Sequence, residues 1–470
     1  MMTKIDPALL GAEDLLALYR SRALSPVDAL RDVLERIARM NPWVNAFAAM
    51  NPRALAAAGE SEARWAAGRP MGPLDGVPVT VKDLLDVAGF PTRRGSKTTS
   101  TEPATQDAPL VLGLKAAGAV IIGKTTTTEY GWKSPGDCPL HGITRNPWDR
   151  MRTPGGSSSG AGAAAAASFG PLHVGTDAGG SIRIPAAWCG VVGFKPSFGR
   201  VPQWPLGTFA NVAVAGPITR SVRDAALMFG AMARHDLRDP FCLPDDGRDW
   251  LAGIEGGVAG MRVAVMRRMG FAPNLDAAGE AALGQAARWL EEQGAIVEDA
   301  APELPDTRAI FGRVWGVALA KLAAGLSPEQ QGMLDAGIMD VARREAGMTA
   351  VDFLAADALR IEAAHAMARF HQRYDLVICP TTPGAAPAAD QPTLKPHEAL
   401  WQDWAPWTFT FNLTRQPAIS VPVGLGPEGM PRGVQVVAAL YRDDLALRGA
   451  RALERAAAMP AAPQTNGFNH

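Results

Sequence analysis

Apolar residues recur at helical spacing in two segments near the beginning of the chain. The first runs from Leu9 to Tyr19, and the second follows Ser25, with one apolar face made by Val27, Leu30, Val33, Leu34 and Ile37. Ser25 has the side chain of a helix N-cap, and Pro26 suits a first helical turn, where no backbone N–H is needed. The pattern therefore predicts that residues 1–65 form N-terminal helices.

From Gly72 onward, short β-like runs alternate with helical stretches. An amphipathic helix is predicted from Ala277 to Gln293, and residues 300–375 are expected to be mostly helical. Strands that alternate with helices predict an α/β sheet covered by helices, and the chain has no internal repeat or long linker that would divide it. Seven runs have the composition of strands: Val77–Val81, Ala119–Ile122, Leu172–Val174, Arg262–Met266, Leu376–Ile378, Ala418–Pro422 and Val434–Ala438.

The composition narrows the choice of partner. The chain has 470 residues, 47% of them hydrophobic, and a formal net charge of −1. Such a balance gives no field that attracts nucleic acid or an anionic membrane, so a small-molecule partner is expected. The four cysteines are far apart and predict buried, reduced thiols. The N-terminus lacks the apolar stretch of a signal peptide, and the Ala-rich run Ala161–Phe169 is too short to span a bilayer, so a cytoplasmic protein is predicted.

Two short motifs match known patterns but lack the structural context that those patterns need. Residues 118–125 satisfy the P-loop pattern, yet Ala119–Ile122 are strand-forming residues that would not wrap around a phosphate. Residues 156–160 satisfy G-x-S-x-G, yet the polar, proline-containing segment before them supplies no strand for a nucleophile elbow at Ser158. We therefore favour neither nucleotide binding nor an α/β-hydrolase.

Three other segments make chemical sense together. Lys82 ends an apolar run, which is unusual for lysine, and a partly desolvated amine can act as a base. Residues 153–162 place three serines before a helix-like Ala run, where hydroxyls and free helical N–H groups converge. In residues 175–185 a strand leads into two glycines beside Ser181, as an oxyanion hole next to a hydroxyl nucleophile requires. Taken singly, the first two segments also fit a surface lysine and a flexible linker.

Lys82, the GGSSSG segment and the GTDAGGSIRIP segment resemble the amidase signature family. Ser157 and Ser181 lie 24 positions apart, which is the usual spacing in that family. The resemblance implies one large α/β domain over residues 1–470, with a mixed, twisted β-sheet covered by helices on both faces. Further family-like segments are residues 73–79, 146–148, 189–196, 198–202, 216–219, 380–383 and 412–418. The expected parts of the domain are N-terminal helices in 1–65, the signature core in 70–220, the remainder in 221–459 and a tail in 460–470.

The resemblance also assigns roles. Ser181 corresponds to the nucleophile, Ser157 to a bridging serine that follows a cis peptide bond, and Lys82 to the base. Asp83 is expected to point away from the amine, because an adjacent carboxylate would favour its charged form. The expected oxyanion donors are the backbone N–H groups of Ala178, Gly179, Gly180 and Ser181. Supporting positions are Asp177, Arg183, Gly156 and Ser158.

The chain departs from the family pattern at two positions. Ser159 and Arg415 stand where the family often has glycine, and neither replaces a member of the Ser–Ser–Lys triad. The implied activity is hydrolysis of a carboxylic amide through an acyl-enzyme on Ser181. Aryl or hydrophobic amides, esters or carbamates are the expected substrates, because the chain is rich in tryptophan and aromatic walls suit such groups. The tryptophans predicted to line the pocket are Trp132, Trp204, Trp315 and Trp407.

Two alternatives stay open at this point. The first is a glutaminase that is similar to the A subunit of the amidotransferases and works with a partner subunit. The second is a non-catalytic binding or scaffold protein. No metal and no organic cofactor is implied, because the histidines show no ligand spacing. The sequence does not fix the oligomeric state, and a homodimer is left open.

Overall fold

An 11-stranded β-sheet forms the middle layer of the protein. The computed structural model describes residues 6–391 and 400–460. The strands in chain order are β1 (Phe47–Met50), β2 (Pro78–Lys82), β3 (Val120–Thr125), β4 (Asp137–Cys138), β5 (Gly142–Ile143), β6 (Leu172–Asp177), β7 (Val192–Lys195), β8 (Val214–Thr219), β9 (Arg262–Val265), β10 (Ile296–Asp299), β11 (Leu376–Pro380), β12 (Ala418–Leu425) and β13 (Pro431–Ala438). The hairpin β4–β5 stands apart from the sheet.

The large sheet is mixed. Its strand order is β1-β3-β2-β6-β8-β7-β12-β13-β11-β9-β10. Strands β3, β2 and β6 run parallel to one another, as do β11, β9 and β10. The pairs from β6 through β8, β7, β12 and β13 to β11 are antiparallel, and so is β1 with β3. The predicted α/β fold with a mixed sheet is confirmed.

Helices cover both faces of this sheet. They are α1 (Ala12–Ser21), α2 (Pro26–Val44), α3 (Ala54–Ala66), α4 (Pro109–Ala116), α5 (Ser159–Ala166), α6 (Arg183–Cys189), α7 (Val222–Met232), α8 (Ala277–Glu292), α9 (Thr307–Ala324), α10 (Pro328–Gln331), α11 (Ala336–Glu345), α12 (Ala350–Phe370), α13 (Pro406–Leu413) and α14 (Asp443–Ala456). Short 3-10 turns lie at Pro7–Leu9, Glu129–Gly131 and Trp401–Asp403. The predicted N-cap of α2 is confirmed, because the Asp28 N–H donates to Ser25 Oγ at 3.1 Å. Within the described chain, no helix combines the length and apolarity that crossing a membrane requires.

All seven predicted strands are present, with ends shifted by a few residues. The P-loop pattern is part of β3, where Lys124 and Thr125 are themselves strand residues, as its apolar character predicts. Ser158 is the N-cap of α5 and follows no strand, so it does not stand on a nucleophile elbow. The chain from residue 461 onward, which includes most of the predicted tail, lies outside the described residues.

The alternation of side chains along β2 positions the functional lysine. Val79 and Val81 pack into the larger apolar core, which also contains residues of α4, α7, α8 and α14. Successive side chains of a strand point to opposite faces, so Lys82 faces the other layer, where α5 and α6 lie. A one-residue change in this register would turn the amine away from the serines.

Candidate active site

The Lys82 amine is enclosed by hydroxyl groups. Its Nζ atom lies 2.8 Å from Ser157 Oγ, 2.9 Å from Ser158 Oγ and 2.9 Å from Thr176 Oγ1. The lysine is 0% exposed, although lysine side chains normally keep their amines in water. The strand end predicted to carry a buried amine therefore does carry one.

Burial shifts the pKa of this amine. Removal from water lowers the pKa of Lys82 well below its ordinary value, while the charge of Asp177 acts in the opposite direction. No carboxylate in the described chain forms a salt bridge with Lys82. The neighbouring Asp83 instead pairs with Lys124 at 2.8 Å, as predicted from the need to keep the amine uncharged. A neutral lysine can accept a proton from a hydroxyl.

The two predicted serines of the GGSSSG segment approach Lys82 from the start of α5. The Gly156–Ser157 peptide bond is cis, as the family resemblance implies. The Ser158 hydroxyl also accepts the N–H of Thr176 at 3.2 Å and donates to the Thr176 carbonyl at 3.1 Å. These bonds connect the beginning of α5 to β6 and hold the Ser158 hydroxyl in place beside the amine.

Ser181 lies in a tight turn directly after β6. The turn contains Gly180 at φ +125°, a conformation that residues with a Cβ rarely adopt. A Cβ at Gly180 would also come within 2.6 Å of Ile184 Cδ1. Ser181 is 6% exposed and lines an internal cavity. Glycine at this position therefore lets the chain present the Ser181 hydroxyl to a bound molecule.

An ion pair under the turn holds its shape. Both Asp177 and Arg183 are fully buried, and two bonds join them, from Arg183 Nε at 2.9 Å and Nη2 at 3.0 Å. Asp177 also accepts the N–H of Gly180 at 2.7 Å and that of Ile182 at 3.2 Å. Burial alone would raise the pKa of Asp177, but the charge and hydrogen bonds of Arg183 hold it below its ordinary value. The predicted supporting role of this pair agrees with these contacts.

One of the four predicted oxyanion donors is already occupied. The Gly180 N–H donates to Asp177 Oδ1, so the prediction that it faces the oxyanion is wrong. For the N–H groups of Ala178, Gly179 and Ser181, no acceptor lies within the described chain. Three donors therefore remain free around the Ser181 hydroxyl.

Ser157 and Ser181 both line the cavity, and the Ser158 N–H donates to the Ser181 carbonyl at 3.2 Å. The structure thus brings together the lysine and the two serines that the sequence singled out. The Ser157 and Ser181 hydroxyls are not hydrogen-bonded to each other in the described arrangement.

The cavity beside Ser181 has a volume of about 50 Å³ and a mostly apolar lining. Leu84, Leu85 and Ala213 form part of it, together with the rings of Tyr130 and Phe209. The lining also contains residues with polar or charged side chains, which are Arg94, Ser157, Thr176, Ser181, Gln203 and Thr208. Such a lining favours a substrate that is apolar next to its scissile bond.

The four tryptophans predicted to line the pocket do not line this cavity, and that prediction is corrected. Trp132 is buried, and its carbonyl accepts the indole N–H of Trp315 at 3.1 Å. Trp315 stacks on Phe209 with ring centres 3.5 Å apart, so it stands behind a cavity residue. Trp204 packs against Arg238, and Trp407 donates to the Pro273 carbonyl at 3.2 Å. Trp132, Trp315 and Trp407 are core residues, whereas Trp204 is half-buried.

Two site residues were missed by the sequence reasoning. Thr176 contacts the Lys82 amine, and its place in the GTDAGGS segment was the available signal. Asn412 donates to Asp177 Oδ1 at 2.8 Å and accepts from Arg183 at 2.6 Å, which completes the bonding of the buried pair. Asn412 begins a segment that the resemblance had picked out, but nothing in the chain pattern placed α13 beside α6. Arg415, one of the two departures, packs against Phe198 at 4.2 Å and does not line the cavity.

Comparisons with known proteins all point to one family of similar proteins. The family described as Amidase matches residues 28–447. The chain is 36% identical over 461 residues to an acylamidase of Rhodococcus erythropolis, a match that covers 96% of each chain. It is 35% identical over 486 residues to the A subunit of a glutamyl-tRNA(Gln) amidotransferase from Anaeromyxobacter dehalogenans (strain 2CP-C), covering 97% of this chain and 98% of the relative. A solved bacterial aryl acylamidase, an amidase signature enzyme, superposes with a TM-score of 0.89 at 27% identity, over 95% of this chain and 96% of the other.

Proposed function

The chain belongs to the amidase family, the amidase signature enzymes, which hydrolyse amide C–N bonds, and on this premise we propose that it works through an acyl-enzyme on Ser181. Ser157 passes the proton of Ser181 to Lys82, which acts as the base. The proposed substrate is a carboxylic amide with an apolar group next to the scissile bond.

The reaction proceeds in two halves. The Ser181 hydroxyl attacks the amide carbonyl while its proton moves to Ser157 and the proton of Ser157 moves to neutral Lys82. The negative charge on the carbonyl oxygen is stabilised by the N–H groups of Ala178, Gly179 and Ser181. The tetrahedral intermediate then collapses, the C–N bond breaks, and Ser157 returns a proton to the leaving amine. A water molecule hydrolyses the ester by the same proton path and restores Ser181.

The observation that carries this proposal is the buried Lys82 amine, whose pKa is lowered by burial and whose Nζ lies 2.8 Å from Ser157 Oγ. An amine that served only structure would be expected to pair with a carboxylate, as Lys124 does with Asp83. Lys82 is instead surrounded by hydroxyls, which supports a role in moving protons. The apolar cavity lining and the similarity to an acylamidase and an aryl acylamidase support an aryl or hydrophobic amide as substrate.

Labelling and turnover together test the proposal. A fluorophosphonate is expected to modify the wild-type protein at Ser181, and hydrolysis of 4-nitroacetanilide is expected to fall at least ~10³-fold in Ser181→Ala. Ser159→Ala is the matched control, because the Ser159 hydroxyl is buried next to the other serines but has no partner in the described chain. Near-normal turnover by Ser181→Ala, or unchanged labelling of it, would refute the assignment.

A second candidate is a glutaminase that works with a partner subunit. It is supported by the 35% identity to the A subunit of an amidotransferase. Glutamine carries an ammonium group beyond its two methylene groups, and no carboxylate among the described residues lines the cavity to pair with it, which favours the first candidate. Glutamine and 4-nitroacetanilide assayed side by side with the isolated chain decide between them. Hydrolysis of glutamine alone, or only after a partner is added, would favour the second candidate.

A further inference from the structure

A second, wider cavity opens from the one that contains Ser181. It has a volume of about 380 Å³ and is lined in part by α9 and the turn that follows it. The two cavities share five lining residues, which are Arg94, Tyr130, Pro205, Gly207 and Thr208. A substrate whose scissile bond lies at Ser181 can therefore extend past Arg94 into the outer cavity.

The charged side chains along this route are all cationic. Arg94 lines both cavities and Lys321 lines the outer one, and among residues 6–391 and 400–460 no aspartate or glutamate lines either. The Arg94 side chain has no hydrogen bond or ion pair within residues 6–391 and 400–460. Asp83, whose carbonyl accepts the Arg94 N–H, has its carboxylate already paired with Lys124. In a protein with a net charge of −1, this local excess of positive charge is a specific feature of the site.

The position of Arg94 identifies which half of the substrate reaches it. A Cβ at Gly131 would lie 3.2 Å from Ser157 Oγ, so Gly131 adjoins the bridging serine. The preceding residue, Tyr130, donates its N–H to the Arg94 carbonyl at 2.8 Å. The Arg94 backbone therefore lies on the Ser157 side of the cavity, and its side chain lines both cavities from there. Because Ser157 returns the proton to the departing nitrogen, this side accommodates the amine half of the amide.

We propose that the substrates carry a carboxylate on their amine half and that Arg94 binds it. This inference rests on the proposed function, and it specifies the substrate class. A guanidinium presents paired N–H donors that match a carboxylate. The Arg94 guanidinium is half-buried and has no partner in the described residues, which strengthens its preference for a carboxylate. Hydrolysis adds one water across the C–N bond and releases a carboxylic acid and an amino carboxylate. The exposed Lys321 lies farther out and attracts the anion as it enters.

Two anilides of similar shape test the proposal. The first is 4-acetamidobenzoate, and the second is 4-acetamidoacetophenone, in which a neutral acetyl group replaces the carboxylate. The acetyl group withdraws electrons more strongly and makes the better leaving group, so a preference for the anion must come from binding. The quantity measured is the ratio of kcat/KM for the anionic to the neutral anilide, with the released amines separated by chromatography. We expect this ratio to exceed one in the wild-type protein.

Arg94→Gln is expected to lower the ratio by about tenfold or more, chiefly through KM, and Arg94→Lys is expected to retain part of the preference. Arg93→Gln is the matched control, because it removes the same charge one residue away, and Arg93 bonds to Thr99 at 3.2 Å and lines neither cavity. Lys321→Gln should lower the ratio less than Arg94→Gln and more strongly at low salt.

The outcomes distinguish failure of the carboxylate proposal from failure of the proposed function. A ratio below one, or a ratio that Arg94→Gln leaves unchanged, would overturn the carboxylate proposal while Ser181 labelling and neutral anilide hydrolysis still supported the proposed function. A ratio that falls equally in Arg93→Gln would also overturn it, because general charge would then explain the preference. Loss of both labelling and hydrolysis in the wild-type protein would refute the proposed function itself.

Discussion

The substitution Asp177→Asn tests how the turn around Ser181 is held. The change keeps the size of the side chain and one oxygen acceptor, but it removes the only negative charge that pairs with Arg183 in the described chain. Arg183 is fully buried, so its charge would stay in the interior with neutral acceptors alone. Those acceptors are Asn412 Oδ1 at 2.6 Å, the Thr408 carbonyl at 2.9 Å and Gln435 Oε1 at 3.1 Å.

The magnitude follows from this geometry. Removal of one partner from a buried ion pair typically destabilises a protein by about 3–5 kcal/mol. The three neutral acceptors offset part of the loss, so we expect the lower end of that range, about 3 kcal/mol in the free energy of unfolding. The Gly180 N–H also loses its charged acceptor, so the turn should loosen and kcat should fall while the fold is retained.

Urea unfolding followed by tryptophan fluorescence measures the first effect, and anilide hydrolysis measures the second. Asp340→Asn is the control, because Asp340 pairs with Arg343 on the surface and its side chain is 74% exposed. Loss of that pair should change the stability by no more than about 0.5 kcal/mol. Adding Arg183→Met to Asp177→Asn removes the unpaired charge and should restore part of the stability. If Asp177→Asn matched the control, or if the second change only added to the loss, the reasoning would be refuted.

Three further predictions concern the lysine and the glycine turn. Lys82→Met keeps an apolar chain of similar length without a base, so kcat should fall about 10²–10⁴-fold in the anilide assay; activity close to that of the wild-type protein would exclude Lys82 as the base. In the wild-type protein, kcat/KM should rise with pH as Lys82 loses its proton and should level off well below pH 10.5, because burial lowers the pKa of that amine. A profile that still rises near pH 10.5 would contradict the role of a neutral Lys82. Gly180→Ala places a Cβ on a residue with φ +125° and brings it against Ile184, so both the melting temperature and the activity should fall. Gly59→Ala in α3 is the control and should lower neither, because a Cβ there would meet no neighbouring group within 4 Å in the described residues.

The sequence was informative wherever chemistry and local pattern coincide. Lys82 at the end of an apolar run and glycines before Ser181 are each unusual in a structural element, and together they predicted a candidate site whose lysine and serines the structure brings close together. The strands with continuous apolar runs were also predicted, because their local pattern is itself typical of a buried strand. Asp83 was correctly expected to turn from the amine, because the electrostatic requirement on a neutral lysine is independent of the fold.

The features that were missed depend on distant parts of the chain. Strand β8 contains Gly216 and Pro217, which locally indicate a turn, yet it pairs with both β6 and β7. The resemblance assigned the Gly180 N–H to the oxyanion. Its bond to Asp177 could not be foreseen from the sequence, because that bond exists only once the turn has closed. The tryptophans have the aromatic character of pocket walls, but sequence does not show how deeply a residue is buried, and none of the four predicted tryptophans lines the cavity.

Trapping of the reaction intermediate shows directly whether Ser181 forms an acyl-enzyme. A slowly deacylating substrate, such as an aryl carbamate, can be mixed with the protein, quenched in acid and mapped by peptide mass spectrometry. We expect one acyl or carbamoyl group on the peptide that contains Ser181, formed more slowly in Ser157→Ala and absent in Ser181→Ala. An adduct on Ser157 or Ser158, or one that persists in Ser181→Ala, would contradict it.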